Sequence, residues 1–239
     1  MDINCDFGED FGIYSLHTSD EILNYVTSIN VACGFHAGDP LVMAKTVEQA
    51  VTKGVRIGAH PGYADLQGFG RREMQLSSEE IKALVLYQIG ALYGFVKAYG
   101  GRLHHVKPHG ALYNQSANDP VKAQAVIDAV KAFDEGLVLY ALAGSLQADM
   151  ARAQGLTVYE EVFADRNYNA DGTLVSRRAT NAVIDSDEQM LAHVERIVRE
   201  QKIIAIDGTV LQTNAKTICI HGDGVHALQF AQRVSNILK

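Results

Sequence analysis

The 239-residue chain has no tryptophan, 4 prolines and 3 cysteines. Without Trp, and with aromatic residues at only 8%, it lacks the stacking surface of a long carbohydrate groove. Cys5, Cys33 and Cys219 are too few, and too odd in number, for a disulfide framework. A reduced, cytoplasmic setting fits them best. A basic stripe is also missing. The 21 Lys and Arg against 28 Asp and Glu give a net charge of −7, without the electrostatic footprint of a nucleic-acid binder. No apolar run approaches the ~18 residues of a membrane span, and Met1 to Asp6 shows neither the basic nor the apolar part of a secretory signal. Neither nucleic acid nor membrane is therefore expected as a partner. No G-x-G-x-x-G follows the first strand and no G-x-x-x-x-G-K-[ST] loop occurs, so two common nucleotide signatures are lacking.

What remains is ordinary globular composition, 47% hydrophobic and 21% charged, of a length that suits one α/β domain over residues 1–239. Short β-like runs alternate with longer helical ones. The predicted strands are 2–6, 28–33, 55–60, 103–107, 137–141, 157–163 and 217–221. Asp39-Pro40 and Asp119-Pro120 each supply an N-cap and a first-turn proline, with Gly54 and Gly136 as stops. Ser77 and Glu80 are spaced for a capping box that opens a helix running to Gly100. Shorter helices are predicted over 145–153 and 186–201, with a last one from Asp223. Asp207-Gly208 marks a turn between two short strands within 203–211. Such alternation favours a parallel sheet with right-handed crossovers. Seven βα units predict a parallel (β/α) barrel, seven-stranded, over an open doubly wound sheet.

Polar residues crowd the strand ends. Asp6, His60, Lys107 and His221 each lie at or near a strand C-terminus, and Asn4 and Asn30 lie within strands. Residues i and i+2 share a face, which pairs Asn4 with Asp6, His105 with Lys107, and Cys219 with His221. Buried polar groups are costly unless they pair, hold a metal or meet a ligand, and the C-terminal rim is where parallel barrels gather catalytic groups. A hydrogen-bonded plug filling the barrel is the alternative. His36, His60, His109 and His221 also stand beside glycines in strand-to-helix loops, where backbone can approach a ligand closely.

The runs NCDFGEDFG (4–12), SINVACGFHAGDP (28–40), GAHPGYADLQGFGRR (58–72), VKPHGALYN (106–114) and ICIHGD (218–223) resemble the LamB/YcsF family. The resemblance covers essentially the whole chain. It implies a seven-stranded barrel similar to the glycoside hydrolase/deacetylase superfamily. It further implies the role of the A subunit of an ATP-dependent 5-oxoprolinase, which with subunits B and C hydrolyses the lactam of 5-oxo-L-proline to L-glutamate. Departures are small: Asp10 replaces a small polar residue, and Gly224-Val225 replaces Asn/Thr-Pro beside the proposed site.

For this chemistry Asp6 is the expected general base, with a structural acceptor for Lys107 or Arg56 as its alternative. His60 and His221 are expected to act as acid and base or to hold an oxyanion. Lys107 suits a substrate carboxylate or developing negative charge. Asn4, Asn30, His36, His109 and Arg71 are expected to complete substrate binding, whereas Arg71-Arg72 could equally be a solvated pair. ATP is expected as co-substrate, handled with the partners because a P-loop is lacking. A divalent metal on Asp6, His36 and His60 is the rival arrangement, by analogy with superfamily deacetylases. The cysteines are expected to pack as buried thiols. Asp171 to Arg178 is predicted as a turn and solvated edge, and Glu161 is expected to pair with Arg166. Two competing functions remain: a lone metal-dependent amide or N-acetyl deacetylase, and a non-catalytic substrate-binding subunit.

Overall fold

The computed structural model describes residues 1–16, 19–184, 186–221 and 227–238. Alternation in β1 (Asp2–Phe7) sends Ile3, Cys5 and Phe7 into the apolar layer. Asn4 and Asp6 go instead toward partners across the interior. β2 (Ser28–Ala32), β3 (Arg56–His60), β4 (Leu103–Val106), β5 (Val138–Leu142) and β6 (Thr157–Phe163) follow, each parallel to the one before. β7 (Lys202–Ile204) and β8 (Val210–Gln212) form the antiparallel pair that Asp207-Gly208 predicts. β9 (Thr217–Ile220) inserts between β6 and β1 and closes a seven-stranded parallel barrel.

The helices are α1 (Pro40–Lys53), α2 (Ser78–Ala98), α3 (Gly110–Asn118), α4 (Pro120–Phe133), α5 (Leu146–Ala153), α6 (Asp187–Glu200) and α7 (Ala227–Ile237). Their ends follow the predicted caps. Asp39 accepts from the Leu41 and Val42 amides, and Gly54 closes α1 in the left-handed region. Ser77 and Glu80 bond reciprocally as a capping box. α3 is a correction, because no helix is predicted between the strand at 103–107 and Asp119. His109 occupies its N-cap position but makes no side-chain cap bond, its ring being turned into the site, so the usual start signal is missing. Gly110 has φ +56°, and a Cβ there would lie 2.6 Å from the Gly70 carbonyl oxygen, so only glycine fits the turn.

α2 also corrects an expectation, for its 21 residues are long and apolar enough to meet a membrane-span criterion. Its place is that of a barrel helix. Ile81, Val85, Ile89, Leu92 and Val96 are buried in the common core, and Gln88 bonds both backbone groups of Gly62. The predicted start of the last helix at Asp223, the Gly222-Asp223 loop and Gly224-Val225 lie outside the described residues.

The barrel interior is polar. At its N-terminal end Asp2 takes bonds from Ser28, Arg56, Tyr140 and Thr217. In the middle, His105 stacks on Tyr140 at 3.9 Å and donates to Asn30. Gly58 makes that possible: a Cβ there would sit 2.1 Å from His105 Nε2. The top layer carries Asp6, His60 and Lys107.

Candidate active site

Above that top layer a cavity of about 520 Å³ opens at the C-terminal ends of the strands. The volume suits a small ligand. Asp6, Glu9, His60, Lys107, His109 and His221 line it together with Arg71, Arg166, Arg177 and Arg178. All four side chains expected to be catalytic therefore share one cavity.

Lys107 is the electrostatic centre of the floor. Its Nζ lies 3.0 Å from Asp6 Oδ1, 2.9 Å from Glu161 Oε1, 3.2 Å from Asn4 Oδ1 and 3.1 Å from Cys219 Sγ. Burial works against its charge, but Asp6, Cys219 and Glu161 outweigh it, and its pKa stands well above the usual lysine value. Asp6 is the mirror case. Burial would raise it, yet His60 and Lys107 beside it hold its carboxyl well below the usual range. Asn30 donates to the same Oδ1 at 2.8 Å, while Oδ2 faces His60 Nε2 at 3.4 Å. Asp6 is thus kept ionised and clamped, which makes it a stable anion and a weak base near neutral pH. Its lysine partner is the one the sequence offered. Arg56 pairs with Asp2 at the other end of the barrel.

Asn4 and Asn30 are fully buried beneath the cavity and do not line it. Asn4 donates to Glu161 and Thr217, and Asn30 donates to Asn4 and Asp6. Both orient the charged layer rather than reaching a ligand. Glu161 does not pair with Arg166, because β6 turns it into the barrel toward Lys107, with the Tyr113 hydroxyl facing it. Arg166 donates to the carbonyls of Val175 and Ala182. Cys219 is buried as expected, and burial pushes its thiol well above the usual value.

At the rim, His221 Nδ1 lies 2.8 Å from Asp165 Oδ2, and Arg177 Nη2 lies 2.8 Å from His221 Nε2. A guanidinium only donates, so Nε2 accepts and Nδ1 carries the proton toward Asp165. Burial would raise Asp165, but His221 and then Arg177 lower it below the usual carboxylate range. Arg177 is exposed, as the predicted solvated edge requires, yet it also lines the cavity and meets His221.

His60, His109 and His36 form a second cluster with Glu9. His60 Nε2 and His109 Nδ1 are 2.9 Å apart, and His36 stacks on His109 at 3.7 Å. His36 is fully buried behind the cavity wall, where its Nε2 meets Glu9 Oε1 at 3.3 Å. Burial, then neighbouring rings, hold His36 and His109 well below the usual histidine value. Burial raises Glu9. One donor group consists of Glu9, His36, His60 and His109; Asp6 falls in another, with Cys219 and His221. The expected metal set of Asp6, His36 and His60 is divided between them.

The model of the LamB/YcsF family matches residues 1–239 of this sequence. The chain belongs to the LamB/YcsF family. A Tolumonas auensis protein named as the A subunit of 5-oxoprolinase is 55% identical over 234 residues, covering 98% of this chain and 93% of that protein. A Brevibacillus brevis protein of the same name is 53% identical over 238 residues, covering 100% and 94%. The crystal structure of a lactam utilization protein from Thermus thermophilus is 46% identical and superposes with a TM-score of 0.91, covering 99% and 95%.

Within this LamB/YcsF chain, sequence reasoning missed Glu9 and Asp165 as site residues. Glu9 lies inside the NCDFGEDFG run, and Asp165 two residues past a strand end. Asp165 lies beyond the strand-end offset that selected His221, and only its closeness to the same barrel mouth could have singled it out. Phe69 also escaped notice. It has φ +54°, a left-handed conformation rare for a bulky residue, and its carbonyl receives the His109 Nε2 proton at 2.8 Å.

Proposed function

We propose that the chain is the A subunit of an ATP-dependent 5-oxoprolinase, working in the cytoplasm with subunits B and C to open the lactam of 5-oxo-L-proline to L-glutamate. The observation that carries this reading is the cavity, where His221, Asp6, Lys107 and a rim of arginines converge at one barrel mouth. The names borne by its relatives supply the substrate.

A lactam amide is a poor electrophile. Transfer of a phosphoryl group from ATP to the lactam oxygen makes the ring carbon electrophilic and the oxygen a leaving group. The chain has no P-loop, so the reading assigns nucleotide handling to the complex. Arg71, Arg166, Arg177 and Arg178 offer cations to a ligand that carries a carboxylate and a phosphoryl group. Water then attacks the ring carbon. The new C–O bond forms, the C–N bond breaks as the ring nitrogen takes a proton, and the resulting γ-glutamyl phosphate is hydrolysed by a second water to glutamate and phosphate.

His221 is the proton acceptor in this scheme. Asp165 holds its tautomer, and Nε2 becomes available when the ligand draws Arg177 away. The base role thus moves from Asp6, whose Oδ1 is already bonded to Lys107 and Asn30, to His221. Asp6 and Lys107 stay charged and set the field beneath the reacting carbon. Glu9, His60 and His109 would hold a divalent ion, which would supply Lewis-acid polarisation of an oxygen.

The test is incubation of the chain with 5-oxoproline and ATP, with and without the two partner subunits. Glutamate should form only in the complete mixture. Oxoproline-dependent ATP hydrolysis by the single chain would overturn the division of labour.

A further inference from the structure

Two backbone carbonyls fix the tautomers of two touching histidines. His60 Nδ1 lies 2.7 Å from the Lys107 oxygen, and His109 Nε2 lies 2.8 Å from the Phe69 oxygen. A carbonyl only accepts, so each of these nitrogens carries a proton. The other two nitrogens, His60 Nε2 and His109 Nδ1, are bare in the neutral rings, yet they stand 2.9 Å apart. Glu9 Oε1 lies 3.7 Å from His109 Nδ1, and Asp6 Oδ2 lies 3.4 Å from His60 Nε2. Four acceptors converge on one spot in the cavity wall, between two buried rings. Lone pairs and carboxylates gathered so closely repel one another, and a cation among them turns that repulsion into attraction.

We propose that His60 Nε2, His109 Nδ1 and the Glu9 carboxylate bind one divalent transition-metal ion of the zinc type. Two imidazoles and a carboxylate are the donors such ions prefer. The carbonyls of Lys107 and Phe69 are the outer partners that commonly orient metal-binding imidazoles. The left-handed backbone at Phe69 gains a purpose here, since it aims one of those carbonyls. Asp6 is a neighbour and not a donor, because its carboxylate falls in the other donor group, with Cys219 and His221, and is anchored there through Lys107 and Asn30.

His36 has a different part. Its Nδ1 is buried without a partner. As a ligand through Nε2 it would carry a proton on Nδ1 with no acceptor. As a donor to Glu9 it leaves Nδ1 bare, and buried donors are the less tolerated orphans. His36 is a positioning residue that holds the Glu9 carboxylate toward the ion.

The chelator-stripped chain is titrated with Zn²⁺ by calorimetry and with Co²⁺ by visible absorption, at neutral pH and without lactam or ATP. One equivalent should bind, with cobalt bands of nitrogen and oxygen ligation. His109→Gln and Glu9→Gln should weaken binding about 100-fold or more, and His36→Gln about 10-fold, as ligand and outer-partner losses do. His104→Gln, beside Arg56 and Asp2 away from the cluster, should leave binding unchanged. Circular dichroism checks each fold, and Glu9→Gln carries the test if His109→Gln does not fold. Absence of binding up to about 1 mM metal would mean that a proton joins the two rings, and would overturn the proposal. So would stoichiometric binding that neither ligand variant weakens. The measurement uses no lactam, so its outcome is separate from that of the hydrolase reading.

Discussion

Asp165, His221 and Arg177 form a relay in which each contact fixes the next. Asp165→Ala frees the imidazole to rotate and to take the wrong tautomer. We expect about 10²-fold lower kcat in the reconstituted complex, as for loss of a general-base arrangement, with little change in KM. A similar loss is expected for His221→Gln, while binding to the partner subunits persists. Unchanged turnover for both would leave the chain a substrate-presenting subunit. Lys107 acts differently, because it neutralises two buried carboxylates at once. Lys107→Met strands Asp6 and Glu161 without a cation. Breaking a buried pair in this way costs about 3–5 kcal/mol, readable as a lower denaturant midpoint. Adding Glu161→Gln should recover part of that loss.

At the scale of the element, β3 shows how a strand can be shaped by the residue opposite it. Gly58 is flanked by Ile57 and Ala59, both buried in the apolar layer, and its missing side chain is the space that the His105 ring occupies. That ring cannot retreat, since it is stacked on Tyr140 and bonded to Asn30. We expect Gly58→Ala to lower stability by about 1–3 kcal/mol, the usual range for overpacking. A Gly58→Ala, His105→Ala double variant should be more stable than the sum of the two losses. A neutral Gly58→Ala would contradict the account. α3 shows the opposite relation between element and site. It begins without a side-chain cap because His109 serves the cavity, and α4 begins at once behind Asp119. The chemistry of one residue thereby removes the sequence signal of a helix.

Across the whole molecule, burial of neutral histidines makes stability depend on pH. Burial holds His105 well below its usual value, and burial pushes His193 down to about 4. Both are neutral in the folded chain at neutral pH. In the unfolded chain they take up protons below about 6.5, and the folded chain does not follow until its lower values are reached. Stability is therefore complete above about 6.5 and declines below it, by about 1.4 kcal/mol per pH unit for each histidine. Asp6 and Asp165, whose folded values are depressed, add a loss at still lower pH, beginning below about 4. The urea midpoint of the chelator-treated chain should fall between pH 6.5 and 4.5, and His193→Gln should make that slope shallower by one proton. A flat profile would refute this.

The sequence by itself determined the alternation of strands and helices, most of the caps, and the row of ionisable groups at strand ends, because each is written in a local period or in adjacent residues. It also carried the family, in five ordered runs. Asp6, His60, Lys107 and His221 were legible as a set since all four obey the same offset from a strand end. Only the tertiary structure decided who meets whom. Lys107 and Glu161 are 54 positions apart, His221 and Asp165 are 56 apart, and Arg56 turned to Asp2 and not to Asp6. Those pairings exist because β9 closes the sheet beside β6, setting His221 next to Asp165, and closure faces inward residues of other strands across a shared interior. Periodicity states which face a side chain takes, whereas closure sets which side chains that face must confront.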